Sequence, residues 1–440
     1  MKFSRRHFIK TLGIGAGACF VALNTAGCAD AIFASEDSDE NPLWNPDSSR
    51  NKIVVISDIH LGVDDAFTET LTNRPYLVQF LKRIQSTIDV SELVIAGDFL
   101  DEWFLPVHYP SYTDQDQFYK DVIENNKAVF DELNNVIDSG IKVVYVPGNH
   151  DLTLEEDVLQ RAVPGMVQAR DVRGLGSYYT GSNNEIVIEH GHRYDVFSAP
   201  DTVSNAALCG NDETILPAGY FYARYGATWV DEGYPEIEKN LPVVTTVPAQ
   251  SDTDQYGAYL YYAVLKSVSS RITPYEPLNR KIFDMRICGF DDSYSYLDFY
   301  PAQQTDGTIT APVLYKNIQR TWTERQTLNG VNVPNSFIPA ILGAVDHKAY
   351  FARAKENYLD NPAENVEIVV FGHTHVPSCT SAGGGKFYVN SGTWVDHNNV
   401  YSGAERTFAV ISTGAQNTSA VFSYMSDGSV VDITQSVIIS

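Results

Sequence analysis

Five short apolar runs in this chain stop at residues that can bind a cation or move a proton. "KIVVISDIH" (52–60) ends on Asp58 and His60, "ELVIAGDFL" (92–100) carries Asp98, and "KVVYVPGNH" (142–150) ends on Asn149 and His150. "EIVIEHGH" (185–192) supplies His190, and "EIVVFGHTH" (367–375) supplies His373 and His375. Taken singly, an Asp after a strand is commonly a helix cap, and a His is a surface or satisfied core residue. The same ending on five strands calls for a shared cause. Mixed carboxylate, amide and imidazole donors suit manganese, iron or zinc, and the absence of cysteine among them argues against a structural zinc site. Eight side chains exceed what one ion uses while leaving room for water. They predict two divalent transition metal ions with one carboxylate between them. Two such ions ~4 Å apart stabilise both the entering and the leaving oxygen of an in-line displacement at phosphorus. A water between them is acidified enough to attack as hydroxide near neutral pH.

The elements that must position these groups follow from the pattern. Each run is short and rich in Val and Ile, which reads as a buried strand. Helical patterns at roughly 66–89 and 114–139 separate the first three runs, with apolar residues three and four apart. Strand–helix–strand alternation argues for parallel strands joined by right-handed crossovers. The carboxyl ends of such neighbouring strands converge on one crevice. The C-terminal runs "KFYVNSGTW", "TFAVIST", "SAVFSYM" and "SVVDITQSVI" read as an antiparallel sheet with turns between strands. The expected fold is α/β, with two sheets packed face to face and helices outside (α/β/β/α). A Tyr-rich stretch at about 200–365 interrupts this rhythm and is too long for a plain loop, which predicts a folded insertion or cap within a domain spanning 51–440.

The order D-x-H, G-D-x-x-D, G-N-H-D, H-G-H, G-H-T-H resembles the calcineurin-like metallophosphoesterase superfamily over about 52–200 and 365–440. By matching position, the resemblance implies that Asp58, His60 and His375 hold one metal and that Asn149, His190 and His373 hold the other, with Asp98 bridging. It makes His150 a group beside the phosphate that protonates the leaving oxygen or stabilises the transition state, and Asp151 an orienting neighbour. "GDFLDEW" and "VNSGTW" are similar to the branch containing UDP-2,3-diacylglucosamine pyrophosphatases. That branch has Arg where this chain has His150 and lacks an export signal, which argues against a lipid-A precursor as substrate. Asp101 would support the metal shell or cap a helix, and Trp103 would belong to the core or a pocket wall. His192 and Arg193 would touch phosphate or be ordinary loop residues, and Asn390 would be structural. The implied activity is hydrolysis of a phosphodiester or pyrophosphate. The alternatives are a phosphate-scavenging phosphomonoesterase and a non-catalytic surface-binding lipoprotein whose Tyr-rich insertion is the binding face.

The N-terminus carries a separate message. Ser4-Arg5-Arg6-His7-Phe8-Ile9-Lys10, followed by a modest apolar region, resembles a twin-arginine export signal over 1–28. Thr25-Ala26-Gly27-Cys28 resembles a lipobox, which would anchor Cys28 to a membrane through lipid. Residues 29–50 read as an acidic tether. Together they predict a periplasmic or cell-envelope location. The net charge is -24; removing 1–28 takes away four basic residues and leaves 27 against 55 acidic ones, a balance of -28. Such a surface repels long duplex nucleic acid but admits a small phosphorylated substrate where metal ions supply local positive charge. Beyond the leader, Cys209, Cys288 and Cys379 do not make a disulfide scaffold and are expected to be mainly buried thiols.

Overall fold

The apolar runs form strands because both of their faces are covered. In chain order the strands of two large sheets are β1 (Lys52–Ile56), β2 (Val90–Ala96), β3 (Lys142–Val146), β4 (Val167–Gln168), β5 (Ser177–Thr180), β6 (Ile186–Glu189), β7 (Ile368–Phe371), β8 (Ser378–Gly383), β9 (Lys386–Asn390), β10 (Thr407–Ser412), β11 (Thr418–Tyr424) and β12 (Val430–Asp432). The first sheet runs β12-β11-β10-β1-β2-β3-β4 and the second β8-β9-β7-β6-β5. In the first, β1 to β4 are parallel neighbours, while β10 joins β1 antiparallel. In the second, β7 lies parallel to both β6 and β9. These details belong to a computed structural model that describes residues 50–109, 114–210, 213–233, 241–272, 278–396 and 406–439.

Alternation along each strand divides its side chains between two cores. Ile53, Val55, Val94, Ala96, Val144 and Val146 meet Ile186, Ile188, Ile368, Val370 and Val389 between the sheets. Val54, Ile56, Leu93, Ile95 and Val143 face the other way, onto the helices α1 (Arg74–Gln85), α2 (Gln115–Asn125) and α3 (Lys127–Asp138). Burying each such side chain contributes roughly 1.5–3 kcal/mol. On the far side of the second sheet, Tyr350, Ala354 and Tyr358 cover Val187, Val369 and Phe371. The layers are those of the expected α/β/β/α sandwich.

Three expectations need correction. The first helical pattern forms a helix only over Arg74–Gln85, because Thr68 and Thr70 donate to the carbonyls of His60 and Ile59 and hold the preceding chain in turns. The second splits at Asn126, whose amide donates to Gly62 O (2.9 Å) and Val122 O (2.8 Å) and breaks the helical run. The C-terminal strands are not one sheet. β9 leaves them to pair with β7, and only β10–β12 continue antiparallel beside β1.

Between β6 and β7 the chain builds the helices α4 (Ala218–Asp231), α5 (Thr253–Ile272), α6 (Ile318–Leu328), α7 (Phe337–Gly343) and α8 (Lys348–Ala354). Tyr220, Tyr225, Tyr261, Tyr296, Tyr300 and Tyr315 are buried and continuous with the helix-side core. These tyrosines hold the segment together rather than presenting a binding face. Two buried arginines tie it to the sandwich. Arg224 donates to the carbonyls of Leu105 (2.7 Å) and Pro106 (2.6 Å), and Arg325 to those of Val196 (2.8 Å), Pro200 (3.0 Å) and Ala199. Arg50, the last tether residue, donates to Gly140 O (2.6 Å) and Ser139 O (3.0 Å). The leader, with Arg5, Arg6 and Cys28, and the tether to residue 49 lie outside the described residues. Among the described residues, no helix is long and apolar enough to cross a membrane.

Candidate metal centre

The five strand ends meet at one buried rim. Backbone bonds carry β1 and β2 beyond their strands, with Asp58 N donating to Gly97 O (3.1 Å) and His60 N to Asp98 O (2.9 Å). Asp58, His60, Asp98, His373 and His375 all take positive φ, between 49° and 68°. A left-handed conformation costs a non-glycine residue about 1–3 kcal/mol, and it turns each side chain sharply off its strand end. Two glycines permit the crowding. A Cβ on Gly148 would stand 2.0 Å from Asp98 N, and one on Gly97 (φ +83°) would stand 2.5 Å from the His190 ring.

Donor atoms of Asp58, His60, Asp98 and His375 gather within 4.8 Å of one another, and so do those of Asp98, His190 and His373. Asp98 belongs to both groups. Its Oδ2 lies 3.2 Å from His190 Nε2 and 3.6 Å from His60 Nε2, and makes no hydrogen bond within the protein. Its Oδ1 accepts the His150 backbone N–H (2.8 Å). Asn149 Oδ1 sits 3.1 Å from His190 Nε2, which puts it in the second group.

Hydrogen bonding at the far ring nitrogens fixes which atoms face inward. His190 Nδ1 donates to Ala96 O (2.8 Å) and His60 Nδ1 to Asp101 Oδ2 (3.1 Å). In the neutral ring each Nε2 therefore keeps the lone pair, His60 facing His375 Nε2 (3.1 Å) and His190 facing Asn149 Oδ1. Lone pairs aimed at lone pairs in a buried site call for cations between them. The negative field favours positive charge here, which a proton on Nε2 can also supply. Burial opposes protonation of His190, yet the Asp98 carboxylate outweighs it and pushes the imidazole up to about 9. Burial likewise opposes ionisation of Asp98, and His190 and His150 overcome it, holding the carboxyl well below its ordinary value. The residues present fit a pair of divalent ions with Asp98 between them.

His150 belongs to neither group that shares Asp98, but its ring lies 4.5 Å from that of His60, and donor atoms of His60, Asp101 and His150 form a third cluster within 4.8 Å. Its Nδ1 donates to Asp101 Oδ1 (2.9 Å), its ring stacks on Trp103 (centroids 4.7 Å apart), and its buried Nε2 has no hydrogen-bond partner. Burial disfavours its charged form, but Asp101 and Asp98 prevail and push it up to about 10. Asp101 is itself pinned by the N–H groups of Trp103 (2.8 Å) and Phe104 (2.9 Å), so one carboxylate orients both His60 and His150. Asp151 ties two loops together, accepting from Gly148 N (2.7 Å) and Phe99 N (2.9 Å). Trp103 is fully buried, against Tyr220 as well as His150. Asn390 holds the turn after β7 through Gly372 O (2.6 Å).

Arg193 turns away from this centre, whereas the His192 ring lies beside that of His190, centroids 5.2 Å apart, with its Nδ1 buried and without a hydrogen bond. His192 Nε2 donates to Gly174 O (3.0 Å). Arg193 is spent on Glu189 (2.8 Å), Asp171 (2.8 Å), Ser177 (2.8 Å) and Asn329 O (3.1 Å), a buried brace between the second sheet and α6. Conversely, three residues were not anticipated. Ser57 donates to Asp58 Oδ2, and Glu69 Oε2 lies 3.6 Å from His60 Nδ1. Asp195 Oδ2 lies 3.1 Å from His373 Nε2. Asp195 closes the same "HGHRYD" run that supplies His190, and that shared run was the available signal. Nothing in the spacing marked Glu69.

No curated protein matches the chain. Among solved structures, one similar in part is a dimetal phosphatase from Danio rerio, at 11% identity and a TM-score of 0.31, covering 88% of this chain and 99% of that one. The family model of the calcineurin-like phosphoesterases matches residues 51–232, the stretch that brings Asp58, His60, Asp98, Asn149, His150 and His190 to the rim. The chain therefore contains a calcineurin-like phosphoesterase domain and is a metal-dependent phosphoric ester hydrolase.

Proposed function

We propose that this protein is an exported two-metal hydrolase of a small phosphodiester or pyrophosphate, held at the cell envelope by a lipid on Cys28. The observation that carries the two-metal reading is Asp98 Oδ2, which makes no hydrogen bond within the protein and lies near both His60 and His190. Bound there, manganese, iron or zinc would supply Lewis acidity toward phosphoryl oxygens and lower the pKa of water. The chain's own work is positional. Asp101 fixes the Nδ1–H tautomer of His150 and favours its charged form, so the proton on Nε2 is available to a leaving oxygen. Trp103 and the buried shell hold that ring still and exclude water.

The diester or pyrophosphate preference rests on the similarity of "GDFLDEW" to a pyrophosphatase branch. Parallel assays on bis-p-nitrophenyl phosphate and p-nitrophenyl phosphate with manganese, iron or zinc test it. Higher kcat/KM on the diester is the expected result, and a strong preference for the monoester would make the protein a phosphomonoesterase instead.

Export is supported by the Ser4–Lys10 pattern. Replacing Arg5 and Arg6 by lysine keeps the charge and removes only the guanidinium pair. Unprocessed precursor should then accumulate in the cytoplasm. Normal processing of that double variant would point to another secretion route.

A further inference from the structure

His373 is held from behind by groups that no ligand motif includes. Its Nδ1 is buried and makes no hydrogen bond within the protein, and it is the ring atom left to join Asp98 and His190. Its Nε2 lies 3.1 Å from Asp195 Oδ2, and both residues are buried. Asp195 Oδ1 accepts Phe197 N–H (2.8 Å), and Oδ2 also accepts Ser198 Oγ–H (3.1 Å). On the other side, the Tyr350 ring packs edge-on to His373, centroids 5.5 Å apart, and burial together with the nearby Asp195 carboxylate holds its hydroxyl well above its ordinary pKa. Tyr350 lies on α8, in the segment between the two sheet-forming halves of the chain.

The segment carrying Asp195 is itself clamped from the same region. Arg325 on α6 donates to the carbonyls of Val196, Ala199 and Pro200, and Asn329 Nδ2 donates to Pro200 O (2.9 Å). Arg193, two residues before Asp195, donates to Asn329 O (3.1 Å). His373 has φ +68°, so its backbone does not settle into an ordinary strand or helix geometry. Its ring needs outside support to keep Nδ1 aimed inward.

We infer that Asp195 and Tyr350 are positioning residues for His373, through which the region between β6 and β7 controls the occupancy of the metal site formed by Asn149, His190 and His373. Asp195 accepts the proton on Nε2 and so fixes the tautomer with its lone pair on Nδ1. Tyr350 packs against the imidazole with its hydroxyl beside that carboxylate. Carboxylate partners of this kind typically change metal affinity about 10–100-fold. The neighbouring site of Asp58, His60 and His375 has a different support, Asp101 behind His60, so the effect should fall on one ion of the pair.

The inference rests on the two-metal reading and can be separated from it. Metal-free full-length protein would be titrated with Mn²⁺ by calorimetry, with ion content measured after gel filtration. Wild type should bind two ions. In Asp195→Asn one affinity should fall about 10–100-fold while the other holds. The amide oxygen can still accept Phe197 N–H, so the turn is kept. Tyr350→Phe should weaken the same site by a smaller factor with little change in melting temperature. If wild type binds a single ion, the two-metal reading fails first. If wild type binds two, and both variants bind them with unchanged affinity or lose both alike, the positioning roles are wrong. Should Asp195→Asn not fold, Tyr350→Phe decides alone by the same criterion.

Discussion

Asp98→Asn is expected to lower kcat/KM by about 10³-fold. A carboxylate between two ions serves both, and Lewis-acid stabilisation of a phosphoryl transition state is worth several kcal/mol, each 1.36 kcal/mol being tenfold in rate. The variant is a clean one. Asp98 Oδ1 accepts the His150 N–H, and an asparagine oxygen there can do the same, so the loop keeps its hydrogen bond. What is lost is charge at Oδ2, the atom near both His60 and His190. Steady-state rates on the preferred nitrophenyl ester check it. A loss under tenfold would mean that Asp98 is not shared.

His150→Asn should reduce turnover by about 10²–10⁴-fold while leaving metal content near wild type, because positioned acid catalysis contributes on that scale. His150 Nδ1 is committed to Asp101 and its ring packs on Trp103, which leaves Nε2 for the substrate. The defect should depend on the leaving group. An alkyl or sugar oxygen needs a proton to depart, whereas p-nitrophenolate leaves without one, so alkyl phosphodiesters should suffer more. Metal loss in proportion to activity would make His150 a ligand. An equal defect on both ester classes, with metals intact, would move its role from proton donation to charge stabilisation.

The ligands were legible because metal chemistry needs particular side chains and a parallel sheet can deliver them only at strand ends. Val, Ile and Leu runs buried on both faces announced β1, β2, β3, β6 and β7, and the residue after each run was the informative one. The supports behind those ligands were harder to see. Asp195 looks like any turn aspartate until His373, 178 positions away in sequence, is brought against it. Tyr350 was one of many tyrosines in a stretch whose helices depend on aromatic packing across distant segments, and period alone does not reveal that packing. Arg193 was misleading for the opposite reason. A basic residue beside a ligand histidine suggests phosphate, but the nearby Glu189 and Asp171 claim its charge. Helix ends were misplaced where Thr68, Thr70 and Asn126 bond to backbone carbonyls, a local competition that apolar spacing does not register.

The most direct test is elemental analysis of the purified mature protein beside its Asp98→Asn variant, with activity measured on the same samples. Wild type should carry close to two transition metal ions per chain, and the variant should fall short at both sites. A single ion in wild type, or wild-type loading in Asp98→Asn, would contradict a centre in which one carboxylate joins two metals.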